Sequence, residues 1–256
     1  MAFVFIVNGA AESSAVNHNQ EVRALSRDQI LLADQAYDAI IDLILSYQLR
    51  LGERTSVAQL AERLSLGRTP VKEAIARLQA EGLLSVAGRS GTTVREIDVT
   101  TARQLFALRR NLEGFAVEDA VRFVTEKDLQ DLRLLLAQLQ WSPDPSSNLY
   151  QMAARYVRSN VRFHATIVRC ARNATLDRLY GQVQMQAQIV IYLYHLGSDH
   201  GAMDKKYQEH AAILAALEQR DAATLRQLLE SHAVATEESV VKSLDALPQS
   251  RQRDRG

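Results

Sequence analysis

The chain has 256 residues, 47% of them apolar, which gives room for one small and one larger packed domain with ample material for two cores. Its 30 Lys and Arg balance 30 Asp and Glu, so a uniformly basic nucleic-acid binder is excluded and any such function must rest on local charge. The single cysteine, Cys170, excludes an internal disulfide, and no apolar run approaches the roughly 18 residues of a transmembrane helix.

Residues 1–30 read as a flexible tail; Met1 to Val7 is apolar but too short, and too poorly flanked by basic residues, for a signal peptide. Asp34, Asp38 and Asp42 recur every four residues and put a carboxylate ridge on the first predicted helix, read as a solvated face. Ser56-Val57-Ala58-Gln59 is a capping-box pattern opening a helix with Leu60, Ala61 and Leu64 on its apolar side. A tight turn, Leu64 to Arg68, leads into a second helix, with Thr69 as its expected cap, Pro70 at its first position and Gly82 at its left-handed end. Val71, Ala74, Ile75 and Leu78 form its buried stripe. Arg68, Thr69, Lys72 and Gln79 point outward, as donors able to reach phosphates or guanine edges.

Leu83 to Val86 and Thr92 to Arg95 are strand-like runs around a Gly-rich tip, Ala87 to Gly91, which carries Arg89 and reads as the wing of a winged helix-turn-helix over residues 31–96. Residues 50 to 95 hold eight Lys or Arg against four Glu and no Asp, so the missing positive charge is concentrated here.

From 97 to 244 the pattern is helical throughout. Six helices are predicted: one opening at Thr100 or Thr101 with Leu105, Leu108, Leu112, Phe115 and Phe123 on its apolar face; one opening at Thr125 with Asp128; then about 149–170, 175–196, 205–219 and 221–241. A Ser-Pro loop around Pro143 and Pro145 separates the second from the third, and 245–256 reads as a disordered tail. His164, His210 and His232 stand on apolar stripes of three different helices, with Asn160 one turn before His164, which points to a shared polar pocket rather than three separate core residues. His195 and His200 are expected in a loop, and Cys170 as a buried thiol.

Residues 34–95, above all Gly67-Arg68-Thr69-Pro70-Val71-Lys72-Glu73-Ala74, resemble the winged helix-turn-helix of the GntR family of bacterial transcription factors. The resemblance implies operator contacts from Arg68, Thr69, Pro70, Lys72 and the wing tip, Arg89 and Gly91. Lys72 stands where arginine is usual, and a point charge replaces a bidentate fork. Residues 101–243 resemble the FCD ligand-binding domain of the FadR-type members, in a six-helix VanR-like form. That likeness implies a divalent metal at Asn160, His164, His210 and His232, with asparagine in place of the family's aspartate. Three imidazoles suit zinc or nickel. Arg109, beside the implied metal, and Tyr156 are the implied contacts to a small organic acid.

The expected fold is mainly α, a winged helix-turn-helix followed by an antiparallel helical bundle. The expected function is a cytoplasmic, homodimeric repressor that leaves a palindromic operator on double-stranded DNA when an acid binds. The alternative is an architectural or metal-responsive DNA binder whose bundle only dimerises or binds metal. An enzyme is disfavoured, since no His-Glu-x-x-His, Glu-x-x-His pair or phosphate loop is present and Asn160 cannot serve as a general base.

Overall fold

A computed structural model describes residues 31–46, 48–86, 91–140, 149–195 and 200–245. The expected tail 1–30 lies outside the described residues, as does that of 245–256 except Asp245, which is helical, and so do Arg89 with the wing tip 87–90 and the loop 141–148.

The N-terminal unit is built from α1 (31–45), β1 (Arg54–Thr55), α2 (Val57–Leu64), α3 (Arg68–Ala80), β2 (Leu84–Val86) and β3 (Thr92–Val94). The strands form an antiparallel sheet in the order β1-β3-β2, with Thr55 and Val86 both opposite Thr92. Two residues are too few for an alternation signal, and β1 was not foreseen. Ser56 caps α2 by accepting the Gln59 N–H at 3.2 Å, while its hydroxyl donates to Gln59 Oε1 at 3.0 Å. Ser65, left-handed at φ 53, ends it.

The following helix, α3, corrects an expectation. It opens at Arg68, two residues early, because Gly67 in extended conformation (φ −63, ψ 154) serves as the cap and no side chain bonds the first amides. Thr69 is therefore not the cap and Pro70 is the third helical residue. The proline is tolerated there because first-turn N–H groups have no intrahelical acceptor. At the other end Gly82, at φ 74, donates to Gln79 O and Leu83 donates to Leu78 O, the two-bond left-handed cap that glycine permits. Val71, Ala74, Ile75 and Leu78 are buried against Ile40, Ile44 and Leu60. Truncating fully buried Leu78 to alanine would cost about 2–5 kcal/mol.

The bundle comprises α4 (Val99–Phe123), α5 (Glu126–Gln138), α6 (Leu149–Cys170), α7 (Ala174–His195), α8 (His200–Glu218) and α9 (Ala222–Asp245). Asp98 caps α4, accepting the Thr101 N–H at 2.7 Å, so the helix opens ahead of the threonines expected to start it. Thr125 and Asp128 form the reciprocal capping box expected of α5. His195 closes α7 and His200 opens α8, so neither is a loop residue; 196–199 lie outside the described residues.

The largest correction concerns α4. Leu108, Phe115 and Phe123, expected in the core, are 47%, 67% and 40% exposed. The helix buries instead Ala102, Phe106, Arg109, Glu113, Ala116, Val117 and Ala120. A second departure joins the two units. Ala153 and Val157 of α6 belong to the core of the N-terminal unit, and Arg158 of α6 pairs with Asp42 at 2.5 Å and Asp38 at 3.7 Å, while Asp34 pairs with Arg77 at 3.2 Å. The carboxylate ridge on α1 is thus a docking edge rather than merely a solvated face. Its half-exposed pairs contribute at most about 1 kcal/mol each.

Candidate functional site

Four bundle helices converge on one buried polar cluster. α6 supplies Asn160 and His164 from successive turns, α8 supplies His210, α9 supplies His232, and α4 supplies Arg109 and Glu113; all six are at most 4% exposed. One ring nitrogen from each histidine lies within 4.8 Å of the others, and His164 Nε2 stands 3.1 Å from His210 Nε2. The other ring nitrogens face acceptors: His210 Nδ1 the Lys206 carbonyl at 2.6 Å, His232 Nδ1 the Glu209 carboxylate at 2.8 Å, and His164 Nδ1 the Glu113 carboxylate at 3.3 Å. His210 and His232 are thus held as ligand histidines are, the outer N–H fixing the tautomer, whereas His164 Nδ1 lies near Glu113 without a formed hydrogen bond.

His210 Nε2 is the meeting point of the cluster. Its Nδ1 donates to the Lys206 carbonyl, so the neutral ring offers a lone pair at Nε2, 2.6 Å from the Asn160 side-chain amide, which can meet it with its NH2 group or, across a shared cation, with its oxygen. Burial, reinforced by His232 and His164, holds His210 well below the ordinary histidine range. Burial acts likewise on His232 and His164, with Arg109 adding to the effect. Neutral imidazoles around a common point are what a divalent metal needs. Nitrogens sharing an ion at ~2.0–2.1 Å stand ~3 Å apart, and the His164–His210 separation of 3.1 Å matches. Asn160, His164, His210 and His232 could therefore hold such an ion.

Arg109 is fully buried and donates through Nε to Glu113 Oε1 at 2.8 Å, while both terminal guanidinium nitrogens lack a hydrogen-bond partner. Glu113 Oε1 also accepts the Tyr180 hydroxyl. Burial alone would raise the Glu113 carboxyl, but Arg109, with His164 and Tyr180 behind it, holds it well below the usual range. The charge of Arg109 is thus balanced in the core by Glu113, with Tyr180 beside it, and its terminal nitrogens retain donors that a carboxylate could accept. Tyr156 is half-buried, packed against the bundle core, and its phenol is pushed up by burial and by Glu209.

Two participants were not foreseen as such, Tyr180 and Glu209. Gln184 is fully buried on α7 one turn after Tyr180, with neither side-chain atom hydrogen-bonded. Gln184 is one of four alternating glutamines, Gln182, Gln184, Gln186 and Gln188, so nothing in the sequence singles it out. Cys170 is buried, its thiol pushed up to about 12 by burial, and plays no part here.

The candidate DNA-reading residues divide. Arg68, Thr69, Lys72 and Gln79 are exposed along α3, whereas Pro70 is buried and shapes the first turn. Gly91, at φ 86, has no room for a side chain, since a Cβ would meet the Thr55 carbonyl at 2.8 Å. Arg89 lies outside the described residues. No helix among the described residues is long and apolar enough to cross a membrane.

Comparison with known families matches residues 32–94 to the bacterial regulatory proteins, gntR family, and residues 104–235, more than half the chain, to the FCD domain. The chain belongs to the GntR family. As a GntR-family protein with an FCD domain it is a DNA-binding transcription regulator and not an enzyme. It is similar to the Nta operon transcriptional regulator of Aminobacter aminovorans, 28% identical over 68% of this chain and 85% of that one. It is also similar to a probable D-xylose utilization operon transcriptional repressor of Paenarthrobacter nicotinovorans, 26% identical over 80% and 86%. Among solved structures, E. coli McbR/YncC superposes with a TM-score of 0.68 at 24% identity, covering 82% of this GntR-family chain and 97% of its own, which supports the shared fold.

Proposed function

We propose that this regulator is a cytoplasmic repressor that binds a palindromic operator as a homodimer and is released when a small organic acid binds beside a metal ion in the helical domain. The observation that carries the reading is the open fork of Arg109: a buried guanidinium with two unpartnered nitrogens costs free energy unless an acceptor arrives. A ligand carboxylate is the matching acceptor. Asn160, His164, His210 and His232 are the residues that would hold the ion, zinc or nickel by donor type. When bound, the ion offers open coordination positions to a ligand oxygen.

The dimer is supported by the exposed stripe of Leu108, Phe115 and Phe123 on α4, an apolar face that a second copy would cover. Two copies would set two α3 helices on two half-sites. In each head Arg68, Thr69 and Lys72 sit at an α3 N-terminus with no side-chain cap, a favourable place for a phosphate. Repression is supported by the relative from Paenarthrobacter, a probable D-xylose utilization operon transcriptional repressor.

The test is a gel shift on duplexes selected by the protein itself, titrated with small mono- and dicarboxylic acids with and without zinc. Release by an acid in the wild type, and its loss in Arg109→Ala and His232→Ala variants that still bind DNA, is the expected result. Binding of an acid to the bundle without any effect on the DNA complex would instead favour the alternative, a domain that only dimerises or binds metal.

A further inference from the structure

On the side of α6 opposite Asn160 and His164 lies a second polar feature. Arg155, Arg158 and Arg162, spaced three and four apart, share one face of the helix. They line a cleft of about 770 Å³ between the bundle and the end of α1, where Asp42 and Gln48 form the facing wall. Only Arg158 has acidic partners, Asp42 and Asp38. Among the described residues Arg155 and Arg162 form no ion pair, so two of the three guanidinium charges lining the cleft are uncompensated.

We propose that this cleft is a second ligand site, distinct from the histidine cluster, for a small hydroxylated molecule with an anionic group at each end, phosphate by preference. The spacing sets the length: seven residues at 1.5 Å per residue put the Cα atoms of Arg155 and Arg162 ~10 Å apart. A single anion meets one fork; a molecule with two terminal phosphates meets both. Guanidinium forks match phosphate oxygens bidentately. Between them Gln138 and Ser159, already hydrogen-bonded to each other at 2.8 Å, and Gln48 offer partners for hydroxyl groups. The volume lies in the range of small-molecule pockets.

Isothermal titration of the full-length protein with fructose 1,6-bisphosphate as the probe tests this. Saturable binding is expected, at least about tenfold tighter than inorganic phosphate or citrate, and weakened at least about tenfold in Arg155→Ala/Arg162→Ala. The single variants, each expected to lose part of that affinity, keep the test independent of any folding defect in the double one. His210→Ala should bind the probe as the wild type does. Absence of binding at millimolar probe, equal affinity in the double variant, an equal loss in His210→Ala, or citrate binding as tightly as the bisphosphate would each overturn the assignment.

Discussion

Gln186 of α7 donates its side-chain amide to the main-chain carbonyl of Glu81, the residue that closes the recognition helix. The next residue, Gly82, lies so close that a Cβ there would meet Gln186 Nε2 at 2.6 Å. The bundle therefore grips α3 at its C-terminal end. Gly82→Ala is expected to cost about 1–2 kcal/mol in urea unfolding, from the left-handed backbone alone, with a further penalty from displacing Gln186. Repeating the change in a Gln186→Ala background should remove only that further penalty. Identical costs in the two backgrounds would show that the contact does not form.

At the histidine cluster, Asn160→Asp restores a charged ligand and should tighten zinc or nickel binding by about 10- to 100-fold in chelator competition. His210→Ala should abolish the rise in melting temperature that added metal produces in the wild type. If metal leaves the wild-type melting curve where it was, the four residues are a metal-free polar core.

Phe115 is two-thirds exposed. Phe115→Asp should change the intrinsic stability of the single folded chain by no more than an ordinary surface substitution does, about 0.5 kcal/mol, apart from what dimerisation adds to the wild type. Light scattering should nonetheless report a monomer, and a palindromic duplex should be bound more weakly than a wild-type dimer binds it. A variant that remains dimeric would move the interface to another face.

Asp128 caps α5 through Thr125 and pairs with Arg172. Burial would raise its carboxyl, but the Thr125 bonds and the Arg172 charge outweigh it and the net shift is downward. A carboxyl lowered on folding stabilises above its unfolded-state titration and loses that contribution as pH falls through the folded one. Asp128→Asn should therefore cost about 1 kcal/mol near neutrality, a difference that shrinks below roughly pH 4. A gap between the two proteins that stays constant down to acid denaturation would contradict the assignment.

On DNA, Lys72→Ala should weaken binding to all sequences alike and flatten the salt dependence by about one ion, while Arg68→Ala should relax discrimination at particular base pairs. Both side chains are exposed, so neither change should unfold the protein.

How much could be read in advance follows from what periodicity measures. The stripe of Val71, Ala74, Ile75 and Leu78 was legible because one face of α3 is apolar and the other is not. On α4 the same logic chose the wrong side. The inward face carries Arg109 and Glu113, which only their mutual pairing makes tolerable in a core, so it looked like the wet side; Leu108, Phe115 and Phe123 looked like the dry one. Spacing alone cannot tell a face that meets its own chain from one left open at the surface. The three histidines were visible because each broke an apolar pattern, whereas Tyr180 and Glu209 gain their roles from partners on distant helices. The cap of α3 was missed because glycine caps through its backbone and leaves no side-chain mark.

The two-sidedness of α4 has a mechanical corollary. Glu113 and Phe115 are two residues apart on one stiff rod, the first facing inward and the second facing out. No hinge or intervening loop separates them, so a small roll of the rod that accommodates a guest at its inner side swings the outer aromatic ring through the same angle at the same instant.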